Sequence, residues 1–220
     1  MSFRFAVKFS RKGMTRYLSH LDMQRTFSRA LRRTGLSVKK SSGFNPHIVM
    51  SFASALSVGM QTIGDYMEFS LIEDCDTNVI YELLNSVLPQ DIRILEVFKL
   101  SDCVKKLMSM VYSAEVEFKV SDTDKNEFIM AAVEFFKKKE CFVDKRSKSG
   151  IKTVDIMQYI YMTEFSDNLK VKIALSNDAS LNPLLLLDQI LKCTDKKIPV
   201  DVIRRDLLTV DLISLSSMLV

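Results

Sequence analysis

The chain has 220 residues, of which 47% are hydrophobic, and a formal net charge of +4. This length suits one large domain or two small ones with ordinary apolar cores. No stretch approaches the roughly 18 consecutive apolar residues that a membrane span needs. The N-terminal segment also lacks the continuous apolar core of a signal peptide. The composition therefore argues against a membrane protein, and we expect a cytoplasmic protein with no membrane partner.

The basic charge is concentrated at the N-terminus. Residues 1–50 hold eleven Lys and Arg and one acid, Asp22, and so carry +10. Residues 51–100 hold two basic and eight acidic residues and carry −6. A chain with this distribution presents one basic surface, which predicts a polyanionic partner.

The first hundred residues predict the element order βαββαβ, with a long insertion before the third strand. Every second residue from Phe3 to Phe9 is apolar, which is the period of a strand with one buried face. A helix is expected to begin near Ser19, whose hydroxyl can cap it with Asp22 completing a capping box, and to end at Gly35. Strands are predicted at 36–40, 47–53, 66–72 and 92–98, and a second helix at 79–88.

The rest of the chain predicts a second βαββαβ set after a connection at 101–111. Its strands are expected near 116–120, 142–145, 154–165, 169–175 and 202–210, with a polar SKSG stretch at 147–150. Its helices are expected at 122–139 and after Asn182 and Pro183. We therefore predict an α+β protein of two tandem ferredoxin-like halves, with antiparallel sheets and helices on one face. The predicted domains are a functional half at 1–100, a linker at 101–111 and a second half at 112–220.

The first helix carries an arginine stripe, defined as Arg25, Arg29 and Arg32, on the side opposite its apolar residues. Only Asp22 can pair with the stripe locally. Guanidinium groups match phosphate geometry, so the stripe predicts a phosphate track, the alternative being a solvated helix face. The candidate ligand-binding residues of this region are Arg16, Ser19, His20, Asp22, Arg25, Arg29, Arg32 and Arg33.

A second candidate element is the turn-rich segment SGFNPH, at residues 42–47. Gly43 suits a positive φ, and Pro46 forces Asn45 to be extended, so the loop fixes the direction of His47. Its candidate ligand-binding residues are Gly43, Phe44, Asn45 and His47. The alternative is a purely structural turn in which Phe44 anchors in a core.

The two histidines of the chain, His20 and His47, lie in these two segments. With Asp22 they have the ligand types of a two-histidine, one-carboxylate metal site, and alone they could act as acid and base in phosphodiester cleavage. The four cysteines show no CxxC spacing, so no zinc or iron–sulfur site is indicated. We predict no cofactor and keep metal binding and catalysis as alternatives.

The pattern RFxxxFxRxGxxRYLSHLDxxRxxxRALRRxGLxxxxSxGFNPHxxxSFAxxLxVGxxxxGDYMEF, from Arg4 through Phe69, closely resembles the bacterial radical-SAM-linked proteins, a family of unknown function. The resemblance implies a partner that is a radical SAM protein with a cobalamin-binding region. This chain lacks the CxxxCxxC that would hold the cluster of such an enzyme. The motif positions include Ser19, Leu21, Pro46 and the candidate residues named above.

These observations lead to one hypothesis and two alternatives. The hypothesis is a non-catalytic accessory that binds structured RNA, such as tRNA or rRNA, or another phosphate-rich ligand and presents it to the radical SAM partner. The first alternative is a hydrolase or nuclease that uses His20 and His47. The second is a protein adaptor whose arginine stripe docks on an acidic surface of the partner.

Overall fold

A computed structural model describes residues 2–147, 150–176 and 179–219. Over these residues the chain is a mixed α+β protein with five α-helices and mostly antiparallel strand pairing. It divides into two compact units, Met1–Tyr112 with Arg204–Val220, and Ser113–Ile203. Within the described ranges, no helix is long and apolar enough to cross a membrane.

The first unit begins with four strands and three helices. The strands are β1 (Phe3–Arg11), β2 (Met50–Phe52), β3 (Gln61–Leu71) and β4 (Ile92–Leu100), and the helices are α1 (His20–Arg33), α2 (Thr77–Val87) and α3 (Leu107–Met110). β1 lies between β3 and β4 and is antiparallel to both, while the short β2 pairs with β3. The predicted β1, α1, α2, β3 and β4 are confirmed, with small shifts at their ends, except that β3 begins at Gln61, five residues earlier than predicted.

The second unit contains β5 (Ser113–Lys119), α4 (Lys125–Phe136), β6 (Phe142–Ser147), β7 (Gly150–Asp155), β8 (Ile160–Phe165), β9 (Leu169–Ala174) and α5 (Pro183–Leu191). β9 lies between β5 and β8, and β6 pairs with β7 as a separate hairpin. The last strand, β10 (Asp201–Leu208), begins in the second unit and ends in the first. The helix predicted to open at Asn182 and Pro183 is confirmed as α5, and the Asn182 side chain caps it by accepting from the Leu184 N–H at 3.0 Å.

Three predicted elements differ in the structure. The strand expected at 36–40 is wrong, because this segment makes only isolated bridges, Val38 to Leu71 and Lys40 to Ile48. The strand expected at 47–53 is reduced to β2. The continuous strand expected at 154–165 is wrong, because a single 3-10 turn at Met157–Tyr159 separates β7 from β8. Of the predicted SKSG stretch, residues 148–149 lie outside the described residues, and the flanking residues belong to β6 and β7.

A shared aromatic core fixes the rotation of α1 on the sheet. The Phe27 ring centroid lies 4.9 Å from that of Phe9 on β1 and 5.4 Å from that of Phe52 on β2. Met23, Ala30 and Leu31 are buried beside it, as the helical periodicity predicted. With this side of α1 against the sheet, the arginine stripe faces outward.

The opposite face of the first sheet is also covered, although the alternation in β1 predicted only one buried face. Ala6 and Ser10 of β1 are buried, and the Tyr66 hydroxyl donates to Asp206 at 2.7 Å. Ser214 also contacts the Tyr66 hydroxyl on this face, at 3.4 Å. β10 lies beside β3 and approaches it closely at Gly64, where a Cβ would clash with the Arg205 carbonyl oxygen. The alternation in β1 suggested an exposed second face because its residues there are small or polar, but polar groups of the protein, and not solvent, lie against that face.

Candidate nucleic-acid interface

The helix α1 begins at a cap that the sequence predicted. The Ser19 hydroxyl accepts from the Asp22 N–H at 3.2 Å and donates to the Asp22 carboxylate at 2.7 Å. Arg25 donates to the same carboxylate at 3.1 Å. The Ser19 hydrogen bond, followed by the contacts of Arg25, lowers the pKa of Asp22 below its ordinary value. After Arg33 the chain leaves the helix through Gly35, at φ +76°.

We expect Ser19→Ala to lower the free energy of unfolding by about 1 kcal/mol, because the helix loses its N-cap. The same change removes the largest cause of the low Asp22 pKa, so that pKa should rise toward its ordinary value. Chemical denaturation and NMR titration of Asp22 measure the two effects. Ser28→Ala, in the middle of α1, is the matched control, and an unchanged Asp22 pKa in Ser19→Ala would contradict the assignment of its cause.

The outward side of α1 forms a groove of about 530 Å³, which we call the arginine groove. Its walls bring the arginine stripe together with His47 from the SGFNPH loop. The sequence predicted both elements but could not show that they adjoin. Leu21, Ile48 and Met50 supply apolar surface to the same groove.

The charges of the arginine groove are largely uncompensated. Arg25 shares Asp22 with the helix cap. Arg29 and Arg32 are exposed, and no acidic side chain in the described part of the chain forms an ion pair with either. Exposed guanidinium groups on one helix side attract phosphate groups.

The two remaining candidate arginines lie outside this groove. Arg33 donates to the Val87 carbonyl at 3.3 Å and lines a neighbouring groove of about 510 Å³, which it shares with Arg29. Arg16 stacks over Tyr17, with 5.2 Å between its guanidinium carbon and the ring centroid. Of the predicted arginines, the structure therefore gathers the stripe in one groove and places Arg16 and Arg33 beyond it.

The SGFNPH loop is exposed throughout and closed at its base. The Ser41 hydroxyl accepts from the His47 N–H at 3.1 Å and lies 2.9 Å from His47 Nδ1. If this hydroxyl donates to Nδ1, the neutral ring carries its proton on Nε2. Phe44 is fully exposed, at 108% of its reference area, so the alternative in which it anchors in a core is wrong. Gly43 has φ +119°, as predicted for the turn, and Asn45 is exposed beside it.

The structure does not bring the two histidines into one cavity. His20 packs edge-on against Phe52 and lines a small cavity of about 10 Å³ with Arg11 and Asp65. His47 lies in the arginine groove instead. Among the described residues, no three His, Cys, Asp or Glu side chains are grouped so that they could hold a metal ion. His20, Asp22 and His47 are thus not arranged as a ligand set.

A buried arginine network supports the start of α1, and the sequence reasoning missed it. Arg204 binds Asp65 through two hydrogen bonds, of 2.6 and 2.9 Å, and all of these atoms are buried. Arg11 donates to the carbonyls of Met60 at 3.0 Å and Leu18 at 3.3 Å. Burial, partly offset by Asp65, lowers the pKa of Arg11. Because Leu18 directly precedes the helix cap, Arg11 positions the beginning of α1.

A comparison with protein families gives a match to a family described as an uncharacterised protein conserved in bacteria, DUF2344, over residues 4–183. The chain belongs to this family. The part matched by DUF2344 includes the arginine groove and the SGFNPH loop, as well as Arg11 and Asp65, but ends before Arg204. A search of curated proteins finds no match. The family description names no activity, so function must be argued from the site.

Proposed function

We propose that the protein is a non-catalytic accessory that binds RNA, such as tRNA or rRNA, through the arginine groove and the SGFNPH loop. The observation that carries this proposal is the groove itself, in which the arginine stripe lies beside His47. Phosphate contacts hold a nucleic acid in register, and contacts to bases select it. In this protein the stripe supplies the first kind of contact and the loop supplies the second.

The exposed Phe44 favours RNA over an inorganic or small phosphorylated ligand. Sequence-selective RNA binding targets unpaired bases, which stack on aromatic side chains. Phe44 is exposed in the same loop that supplies His47 to the arginine groove, and so offers such a platform. A free phosphate does not stack on an aromatic ring. Asn45 and His47 are exposed in the same loop and supply hydrogen-bonding groups for a base.

The radical SAM partner belongs to this proposal, and its support is the resemblance of residues 4–69 to radical-SAM-linked proteins. In this arrangement the protein presents RNA to a partner that carries a cobalamin-binding region, in the cytoplasm. The competing adaptor hypothesis assigns the arginine stripe to an acidic surface of the same partner. Co-purification with and without nuclease separates the two, because an adaptor keeps its partner after nuclease treatment and an RNA bridge loses it.

We further propose that the two units are ferredoxin-like. The support in the first unit is the element order β1-α1-β2-β3-α2-β4 with neighbouring strands β4-β1-β3-β2. In the second unit the order β5-α4-β8-β9-α5-β10, with the β6–β7 hairpin inserted, and the neighbours β5-β9-β8 support the same architecture.

A salt titration tests the RNA proposal. If the three arginines of the stripe contact phosphates, the logarithm of the association constant for tRNA should fall by about 2 to 3 for each tenfold rise in salt. Fluorescence anisotropy with the whole chain and labelled tRNA measures this slope, and sequencing of RNA crosslinked to the protein in cells identifies the ligand. Affinity that does not change with salt, or an empty crosslinking library, would sink the proposal.

A further inference from the structure

A second groove adjoins the arginine groove and shares His47 with it. Its volume is about 550 Å³, within the range of roughly 300–1,000 Å³ that is usual for small-molecule sites. Its lining includes apolar residues, among them Ile48, Met50 and Val104, and several polar ones. The polar side chains that matter here are Arg4, Lys39, Glu68 and Lys106. We call this cavity the Glu68 groove.

Two lysines give the rim of the Glu68 groove an uncompensated positive charge. Lys39 and Lys106 are exposed, and neither forms an ion pair within the part of the chain that the structure describes. The Lys39 ammonium donates to the Ser2 hydroxyl at 3.1 Å, a neutral contact that leaves its charge unbalanced. Ammonium groups in this position suit a phosphate.

Glu68 is a fixed acceptor in this groove. Its Oε2 accepts from Arg4 at 2.8 Å and its Oε1 from the Ser51 hydroxyl at 3.0 Å. Arg4 is itself held by the Val104 carbonyl at 2.6 Å, so the carboxylate is anchored from both sides. A carboxylate has about four acceptor sites, so each oxygen of Glu68 keeps one beyond these contacts, on a side chain that is 11% exposed.

We propose that the Glu68 groove binds an unpaired guanine nucleotide. The Watson–Crick edge of guanine places two N–H donors side by side, which match the two oxygens of a carboxylate. The same edge of uracil has one N–H between two carbonyl oxygens, which a carboxylate repels. The phosphate of the nucleotide lies on Lys39 and Lys106, and His47 connects the site to the arginine groove.

This inference rests on the proposed function and narrows it. A base whose Watson–Crick edge is bound by protein cannot be paired, so the RNA must be single-stranded where it crosses the Glu68 groove. The neighbouring bases then continue past Phe44 toward the arginine stripe. The ligand is therefore a guanine-containing loop or single strand, and a continuous duplex is excluded from this groove.

The test compares labelled single-stranded RNAs of about 12 nucleotides, one of uridine alone and one with central guanosines, by anisotropy on the whole chain. We expect the guanosine-containing strand to bind about tenfold more tightly. Glu68→Gln should abolish this preference. The double variant Lys39→Ala, Lys106→Ala should weaken both strands, and Lys105→Ala is its matched control because Lys105 is exposed next to the groove without lining it.

Calorimetric titration with free 5′-GMP and 5′-UMP separates this inference from the proposed function. If the protein binds GMP, loses this binding in Glu68→Gln and binds neither RNA strand, the guanine site is supported and the RNA proposal is rejected. Equal affinity for the two strands and for the two nucleotides overturns the guanine site. A guanine preference that survives in Glu68→Gln also overturns the guanine site. So does a loss of RNA affinity in the Lys39, Lys106 double variant that is no larger than the loss in Lys105→Ala. The melting temperature of each variant reports whether it is folded.

Discussion

RNA affinity should fall about a hundredfold when Arg29 and Arg32 are both replaced by alanine. A hydrogen bond to a charged group contributes about 1.5–3 kcal/mol, so each lost arginine contact corresponds to at least a tenfold weaker complex. The slope of the logarithm of affinity against that of salt should also become shallower by about 1.5, since two phosphate contacts disappear. Anisotropy with labelled tRNA at several salt concentrations measures both quantities.

The matched control for this double variant is Lys12→Ala, which removes a positive charge from the same basic segment at an exposed residue outside the arginine groove. Lys12→Ala should weaken binding only slightly, because a charge at a distance is screened by salt. If Lys12→Ala reduces the binding free energy by half as much as the double variant does, the total charge of the segment, and not the position of the arginines in the groove, determines RNA affinity. Folding is not at issue, because both arginines are exposed.

The parts of the site that sequence predicted depend on local signals. The cap at Ser19, the apolar period of α1 and the turn at Gly35 all act within one helix, and together they determined which side carries the arginine stripe. The loop was predicted because Gly43 can adopt a positive φ and Pro46 restricts the backbone of the preceding residue, Asn45. What no local signal could show is that His47 would meet the stripe in one groove.

The missed features depend on contacts between distant residues. Asp65 and Arg204 are separated by 139 positions, so no periodicity links them. Asp65 precedes the strand predicted at 66–72, and Glu68 is a polar position within it, which usually faces solvent. The break between β7 and β8 was missed for the same reason, since the Asp155 carboxylate that supports the turn accepts from the Cys141 N–H, 14 residues away. Which polar side chains are buried therefore becomes evident only from the folded structure.

The second large effect is expected from Asp65→Ala, which should lower the free energy of unfolding by about 3–5 kcal/mol. The substitution leaves Arg204 buried without its carboxylate, at 3% exposure, and removes the attraction that offsets burial of the Arg11 guanidinium. A buried charge without its partner costs more than the pair contributed. Chemical denaturation of the purified variant measures the loss.

Two further variants decide whether the loss comes from burial of the pair. Asp74→Ala breaks the exposed ion pair with Lys99 and should lower the free energy of unfolding far less than Asp65→Ala does, because solvent screens an exposed pair. Adding Arg204→Met to Asp65→Ala should restore part of the stability, because it removes the unpaired charge. If Asp65→Ala and Asp74→Ala lower the free energy of unfolding equally, the buried pair stabilises the protein no more than an exposed ion pair does.

The Asp65→Ala variant also tests how the buried network supports the site. Arg11 holds the Leu18 carbonyl, and Arg204 holds the Ala55 carbonyl at 3.1 Å, so both arginines tie chain segments to the sheet near the start of α1. Without Asp65, the Asp22 N–H, which donates to Ser19 at the cap, should exchange its hydrogen faster, while amides in the middle of β1 change only with global stability. If only the amide at the cap exchanges faster, the buried network acts by holding the start of α1, and with it the orientation of the arginine stripe.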